Sequence, residues 1–300
     1  MNETNPNCPQ NHGSLPPTPQ AASMLPRRFR WTVICGVVVI LAVLIGWLYG
    51  RTNQSTDSME SLRRAADRGD AKAQNNLGVC YENGDGVPVD KAEAAKWFRK
   101  AANQGYAYAQ CNLAACYAAG DGVPVDKAES VKWYRKAAEQ GYAAGEWGLG
   151  RCYEDGEAVR RDMKEAMNWY SKAADQKFAY AQNSLGFCYY NGEGVPVDKA
   201  QAVKWFRLAA EQGLADAQCR MGICYDTGDG IPTNSVEALK WFRLAAEQGL
   251  ADAQYFLGLF YETGRAVPVN KKEAEMWFRK AADQGNTKAQ AALNKLAILP

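Results

Sequence analysis

A repeat of constant length runs through this chain of 300 residues and decides its architecture. A tryptophan and a tyrosine each recur every 36 residues: Trp97, Trp133, Trp169, Trp205, Trp241 and Trp277, and Tyr81, Tyr117, Tyr153, Tyr189, Tyr225 and Tyr261. Such a period is typical of arrays in which one supersecondary unit stacks on the next. We therefore expect six stacked units over residues 69–284.

The array is expected to end in partial units. Residues 61–69 match the end of a unit, and residues 285–292 match the start of one. We predict an N-terminal half-repeat cap at 57–68 and a C-terminal capping helix at 285–300, because the terminal units of an array must cover its apolar ends. The six units between them are predicted at 69–104, 105–140, 141–176, 177–212, 213–248 and 249–284.

Each unit is predicted to contain two helices. In unit one, Ala73, Leu77 and Tyr81 follow at intervals of four, which places them on one helix face. The second helix is predicted to begin where Asp or Asn precedes Glu or Gln by three residues, since this pair can bond the free amides of a helix start. The pair occurs in every unit: Asp90 with Glu93, Asp126 with Glu129, Asp162 with Glu165, Asp198 with Gln201, Asn234 with Glu237 and Asn270 with Glu273.

The residues before the array predict attachment to a membrane. Residues 31–50 carry no charged side chain, and twenty helical residues span a bilayer core of roughly 30 Å. We predict a transmembrane helix at 31–50, between a disordered tail at 1–30 and a linker at 51–56; its length argues against a cleaved signal peptide. Because Arg27, Arg28 and Arg30 precede this segment, the positive-inside rule favours a cytoplasmic tail and an extracytoplasmic repeat domain.

Charge and histidine content argue against several classes of function. The formal net charge is +2, and the arginines before residue 31 supply it, so the repeats are neutral overall. A neutral domain lacks the basic surface that nucleic-acid binding requires. The one histidine, His12, lies in the N-terminal tail, which removes the commonest side chain of acid–base and zinc chemistry. We expect no nucleic acid, no cofactor, no metal and no small-molecule substrate.

The repeats resemble the Sel-one-like repeats, relatives of the tetratricopeptide repeats. Residues 73–105 carry the pattern Ala-Gln-x-x-Leu-Gly-x-x-Tyr, then Gly-x-Gly-Val, then Asp-x-x-x-Ala-x-x-Trp-Phe-x-x-Ala-Ala-x-x-Gly, and the resemblance extends over residues 57–300. It implies an all-α fold, a right-handed α/α superhelical solenoid with a concave face. It also implies a role as a scaffold or adaptor in protein complexes, often in membrane-associated quality control or in bacterial signalling and secretion.

Two units depart from this pattern in the turn between their helices. In unit three, Ala158 and Arg160 replace the glycine and proline that stand as Gly86 and Pro88 in unit one. In unit six, Ala266 replaces the same glycine. These changes leave the geometry of the two turns open but do not alter the expected architecture.

Five of the nine cysteines recur with the repeat, at Cys80, Cys116, Cys152, Cys188 and Cys224. Equivalent positions on stacked helices lie about 8–10 Å apart, which exceeds the roughly 7 Å that a disulfide spans between Cα atoms. We therefore interpret these cysteines as small packing residues. Cys111 and Cys219 each precede a periodic cysteine by five residues and so occupy a different helix face.

By analogy with tetratricopeptide repeats, the first helix of each unit is expected to line the concave face. The expected lining positions correspond to Lys72, Asn75, Val79, Glu82 and Asn83 of unit one. Elsewhere in the array these positions carry the residues that we predict to bind a partner polypeptide, as an extended segment or a helix: Tyr108, Trp147, Arg151, Tyr180, Phe187, Tyr190 and Tyr255. Aromatic side chains and arginine are the usual anchors of interfaces. The alternative is that these rings only pack between units.

Two other functions stay open beside the scaffold. The first is a mechanical envelope spacer with the same fold and no discrete ligand. The second is an enzyme, because some cysteine-rich relatives are associated with penicillin binding or β-lactamase activity. The chain contains no Ser-x-x-Lys, Ser-Asp-Asn or Lys-Thr-Gly motif, so an acylating serine and its base are missing. We expect no enzyme activity.

Overall fold

A computed structural model describes residues 58–298 of the chain. Our predictions for the tail at 1–30, the membrane segment at 31–50 and the linker at 51–56 lie outside these residues. The described part contains fourteen helices and no strand. The all-α solenoid that the repeat predicted is therefore confirmed.

The helices alternate with short connections and nearly all have the same length. The first, α1, covers residues 58–67. Twelve helices of thirteen residues follow, and a helix of twelve residues ends the array. Their bounds are α2 Ala71–Asn83, α3 Lys91–Asn103, α4 Ala107–Ala119, α5 Lys127–Glu139, α6 Ala143–Asp155, α7 Met163–Asp175, α8 Ala179–Asn191, α9 Lys199–Glu211, α10 Ala215–Thr227, α11 Ser235–Glu247, α12 Ala251–Thr263, α13 Lys271–Asp283 and α14 Thr287–Ile298.

The second helix of each unit begins as its sequence predicts. The Asp90 carboxylate accepts a hydrogen bond from the Glu93 amide at 2.9 Å, and the equivalent Asp or Asn accepts from an amide of the first turn in the other five units. These bonds satisfy amide groups that have no partner within the helix. The six helix starts are therefore confirmed.

The second helix ends in a turn that starts the next unit. At the end of α3, Gly105 adopts a left-handed φ of 87°, and the Tyr106 amide donates to the Ala101 carbonyl at 3.2 Å. This is a Schellman motif, in which the residue after the glycine packs back on the helix. That residue is also the N-cap of the following helix. In the middle of the array it is aromatic or aliphatic: Tyr106, Tyr142, Phe178, Leu214 and Leu250.

The turn between the two helices of a unit keeps its form where glycine is replaced. Gly86 and its counterparts in units two, four and five have φ between 71° and 77°. Ala158 and Ala266 stand at the same place with φ of 55° and 57°. An L-residue in this region carries backbone strain that glycine does not. The two units therefore preserve the turn and carry that strain.

Each helix packs against the next along the chain, and the core lies in the layer between first and second helices. In five of the six units, a ring from the second helix lies on a glycine of the first, where a Cβ would clash: one added at Gly78 would lie 2.6 Å from the Phe98 ring. Unit two has Ala114 at this position. The Trp97 set is buried or half-buried, as expected for core residues. The Tyr81 set is mostly half-buried, and five of its six hydroxyls accept hydrogen bonds from arginines, such as Arg99 to Tyr117 at 2.6 Å.

Buried glutamines tie neighbouring units together. In unit one, Gln74 accepts a hydrogen bond from Gln104 at 2.7 Å and donates to the Ala66 carbonyl at 3.0 Å. The same pair of bonds recurs in four of the other five units. Unit three differs, because Glu146 replaces the glutamine and accepts from Gln176 at 2.8 Å. Burial raises the pKa of Glu146 above its ordinary value.

The predicted membrane attachment requires a correction. Within residues 58–298 the structure has no helix with the length and apolar character needed to cross a bilayer. The longest span thirteen residues, which is about 20 Å against a core of roughly 30 Å. This finding contradicts the predicted single-pass localisation with an extracytoplasmic repeat domain, and the anchor at 31–50 falls outside the described residues.

Candidate functional site

The predicted partner-binding residues occupy one stripe of the first helices. Tyr108 and Tyr180 are the second residues of α4 and α8, and Trp147 is the fifth residue of α6. Arg151 and Phe187 take the ninth position of their helices, Tyr190 the twelfth, and Tyr255 the fifth position of α12. Positions 2, 5, 9 and 12 lie three or four residues apart and share a helix face. We call this stripe on α2, α4, α6, α8, α10 and α12 the first-helix surface.

Two tyrosines of the first-helix surface are exposed. Tyr108 has 53% and Tyr180 has 51% of its surface accessible. Tyr108 is held by other rings, since its centroid lies 4.5 Å from that of Tyr142 and 5.5 Å from that of Tyr106. Arg151 is also exposed and forms an ion pair with Asp155 at 3.4 Å.

Trp147 is half-buried and joins two units. Its indole Nε1 donates to the Ser184 hydroxyl of the next unit at 3.1 Å. Its ring centroid lies 5.5 Å from that of Tyr180 and 6.0 Å from that of Phe178. The Arg151 guanidinium lies 5.6 Å from the ring centroid, within range of a cation–π interaction. The structure therefore brings Trp147, Arg151 and Tyr180 together.

The other three predicted residues are half-buried and mainly pack between helices. The Phe187 ring meets the Phe206 ring edge-on at 5.2 Å, and the Tyr255 centroid lies 5.9 Å from that of Phe278. The Tyr190 hydroxyl donates to Asp229 at 2.6 Å, and this hydrogen bond together with burial raises the pKa of Tyr190 to about 12. Phe187, Tyr190 and Tyr255 therefore make contacts between helices, and their binding of a partner stays a prediction.

Three further residues of this region were not among the predicted partner-binding residues. Tyr142 and Phe178 support the exposed tyrosines, although they precede their helices and lie outside positions 2, 5, 9 and 12. Their sequence signal is an aromatic residue directly after the unit's last turn. Arg220 places its guanidinium 4.7 Å from the Phe187 centroid. Within the described part of the chain, no carboxylate forms an ion pair with it.

The cysteines of residues 58–298 are all free thiols. Cys116, Cys152, Cys188, Cys219 and Cys224 are buried, while Cys80 and Cys111 are half-buried. Burial raises the pKa of each of these thiols, so they are poorly reactive. The described residues contain no group of side chains arranged to hold a metal ion.

Solved structures of other proteins share this architecture. A protective antigen from uropathogenic Escherichia coli with an SLR fold is 42% identical, with a TM-score of 0.66 over 81% of this chain and 52% of the antigen. A Sel1 repeat protein from Oxalobacter formigenes is 36% identical, with a TM-score of 0.70 over 81% of this chain and 70% of that one. An immunity protein from Pseudomonas aeruginosa shares the fold alone, at 20% identity and a TM-score of 0.52 over 73% and 82%.

This chain thus spans about half the length of the Escherichia coli antigen. The comparison with curated proteins gives no match. The model of the Sel1 repeat matches residues 71–106, 107–142, 143–178, 179–214, 215–250 and 251–286. Because these six consecutive matches cover most of the chain and carry the helices, turns and packing described above, the chain belongs to the Sel1 repeat family.

Proposed function

We propose that this protein is an interaction scaffold that binds an extended segment or a helix of a partner polypeptide on its first-helix surface. Sel1 and tetratricopeptide-like solenoids commonly serve as such scaffolds. The observation that carries the proposal is the exposure of Tyr108 and Tyr180 beside supporting rings. We further propose the right-handed superhelix that places this surface on its concave side.

The supported tyrosines have the physical character of interface anchors. A large ring contributes much apolar area, and a ring already fixed by its neighbours loses little conformational entropy on binding. Tyr108 packs against Tyr142, and Tyr180 packs against Trp147 and Phe178. Arg151 adds a guanidinium next to Trp147. Arginine is enriched with tyrosine and tryptophan at binding hot spots.

The anchors are confined to the middle of the array. The second position of the first helix holds Lys72 in unit one, and it holds Asp216 and Asp252 in units five and six. The aromatic surface therefore extends from α4 to α8, and we propose that a partner engages units two to four.

Site-specific photo-crosslinking in the source cells tests this proposal. A photoreactive phenylalanine analogue replaces Tyr108 or Tyr180 in the full chain, and matched controls carry it at the exposed Lys204 and Lys240 of the second helices. We expect one discrete adduct from both tyrosine positions and none from the lysine positions. The double variant Tyr108→Ala/Tyr180→Ala, crosslinked from position 151, should lose the adduct while its melting temperature changes little, because both side chains are exposed.

Two outcomes would contradict the scaffold. Equal adducts from tyrosine and lysine positions would show contact without a preferred surface, and no adduct from any position would favour the mechanical spacer. We also propose that the protein has no catalytic activity. Turnover of the chromogenic β-lactam nitrocefin by the purified full chain would overturn that part.

A further inference from the structure

Beside Trp147 and Arg151, a recess of about 180 Å³ opens between α4, α5 and α6. Its walls include Ala118 of α4 and Gly148 of α6, and its floor is formed by Ser130 and Tyr134 of α5. Comparing these four positions with their counterparts shows that none of the other five units has this combination of residues.

Small side chains create the space. Ala118 occupies a position that is large in every other unit, namely Glu82, Glu154, Tyr190, Asp226 and Glu262. Gly148 likewise replaces Asn76, Asn112, Ser184, Arg220 and Phe256. A Cβ at position 148 would lie 2.5 Å from the Tyr134 ring, so glycine is needed for that ring to reach the recess.

Two hydroxyl groups form the floor of the recess. Ser130 is only 2% exposed, and the other five units have alanine at its position: Ala94, Ala166, Ala202, Ala238 and Ala274. Tyr134 replaces the phenylalanine of four other units, and the remaining counterpart, Tyr170, donates its hydroxyl to Glu154. Both side chains line the recess. A polar group placed in the recess can therefore hydrogen-bond to these two hydroxyls.

The charges at the rim are already paired. Lys127 contacts Glu157 at 2.9 Å, and Arg151 contacts Asp155 at 3.4 Å. Each cation at the rim therefore has its own carboxylate. This balance disfavours a phosphate or carboxylate ligand and favours a neutral group.

We propose that the recess binds a tyrosine side chain of the partner polypeptide. A cavity of about 150 Å³ accommodates a benzene ring, so this recess matches a single phenol. Trp147 and Tyr134 supply aromatic surfaces that contact the ring, and the Ser130 and Tyr134 hydroxyls supply hydrogen bonds for its polar tip. The inference rests on the proposed function, because it names the anchor residue of the partner on the first-helix surface.

Binding of two small probes to the full chain tests the inference. N-acetyl-L-tyrosinamide and N-acetyl-L-phenylalaninamide differ only in the phenol oxygen, and ligand-observed NMR measures their dissociation constants. We expect the tyrosine probe to bind roughly fivefold more tightly, the effect of about one net hydrogen bond. The double variant Ser130→Ala/Tyr134→Phe should remove this preference. It should also fold normally, because other units carry the same two residues at these positions.

A variant that fills the recess separates the two proposals. Ala118→Glu installs the residue of unit one and should abolish binding of both probes. Equal affinity for the two probes, or unchanged binding to Ala118→Glu, would overturn the recess. If Ala118→Glu keeps the crosslinked adduct from position 180, the recess proposal fails and the scaffold stands. If no adduct forms from any position but the tyrosine probe still binds selectively, the scaffold fails and the recess remains a ligand site.

Discussion

Units three and five have the same helix lengths, but they follow the rules of the repeat to different degrees. Unit five, residues 215–250, has a buried glutamine at Gln218, and Gly230 and Gly249 at two of its three left-handed positions. Unit three, residues 143–178, replaces these three residues by Glu146, Ala158 and Lys177. Both alanine and lysine keep a positive φ there, at 55° and 63°.

The difference shows that neighbouring units impose the backbone of this array. Each departure in unit three costs free energy locally, yet its two helices keep the same thirteen residues as those of unit five. Unit three also carries Trp147 and Arg151 and one wall of the recess. Departures from local rules concentrate at functional sites in many proteins, and unit three holds part of the proposed binding surface.

Truncating the core should give the largest effect and show whether unit three is the weak point. Leu149 and Met221 are fully buried at equivalent positions of the two units. Leu149→Ala and Met221→Ala should each lower the free energy of unfolding by about 2–5 kcal/mol. Because a solenoid is held by nearest-neighbour contacts, we expect Leu149→Ala to split urea unfolding into two steps and Met221→Ala to retain one. Circular dichroism with tryptophan fluorescence measures this, and identical curves for the two variants would contradict it.

Exchanging the buried acid should have the next largest effect, and one that depends on pH. Because burial raises the pKa of Glu146, the folded state binds its proton more tightly than the unfolded state, and stability falls as pH rises above about 4.5. Glu146→Gln also restores a donor toward the Ala138 carbonyl. We expect a gain of about 1–2 kcal/mol at pH 8 that shrinks toward pH 4.

The reverse exchange in unit five is the control for this titration. Gln218 donates to the Ala210 carbonyl at 3.2 Å, so Gln218→Glu should lose about 1–2 kcal/mol at pH 8 and less at pH 4. Urea unfolding at both pH values provides the measurement. A gain from Glu146→Gln that is independent of pH would show that ionisation of Glu146 has no part in it.

Relieving the turn strain should have a smaller effect. The glycines equivalent to Lys177, such as Gly213 and Gly249, have no atom within 4 Å of a built Cβ, so the cost at 177 lies in the backbone alone. Lys177→Gly should raise the free energy of unfolding by about 0.5–1 kcal/mol, the left-handed strain less the extra entropy of unfolded glycine. Gly249→Lys is the mirror variant and should lose a similar amount. No change in thermal melting for either would contradict the strain.

Restoring a surface hydrogen bond should give the smallest effect. Arg207 and Arg243 donate to Tyr225 and Tyr261 at 3.0 and 3.1 Å, whereas Ser171 stands opposite Tyr189. Ser171→Arg should stabilise unit three by a few tenths of a kcal/mol, because exposed pairs contribute little. Thermal melting with Ser171→Lys as the control for charge alone measures the gain, and an equal gain from lysine would argue against the tyrosine contact.

Local signals in the sequence predicted the helices well. The Asp90–Glu93 type of pair contains both partners of the cap within one turn, and a repeated glycine marks all but three of the left-handed positions in the described residues. Repetition of each signal along the array removes the ambiguity that one copy would have. The exposure of individual rings was harder to predict, because it depends on residues far along the chain: Trp147 is fixed by Ser184, and Tyr190 by Asp229.

The recess could not be predicted from one helix, because it depends on small side chains of α4 and α6 and on two hydroxyl groups of α5. Ala118 and Gly148 look like ordinary small helix residues until they face each other across α5. The Ser130 hydroxyl likewise becomes informative only in the folded structure, where it lines the recess. Comparison of equivalent positions within the chain is the signal that would have found all three.

Side chains that cap a first helix through a hydrogen bond occur only at the two ends of the described array, where the Asp70 carboxylate and the Asn286 amide oxygen accept from Ala73 and Ala289. At the inner boundaries, an apolar residue from Tyr106 to Leu250 takes that place and is covered by the adjacent unit. Whole 36-residue segments between these boundaries can therefore be duplicated or lost by unequal recombination without leaving an uncovered end. Gain or loss of such a segment changes the length of the array by one unit at a time.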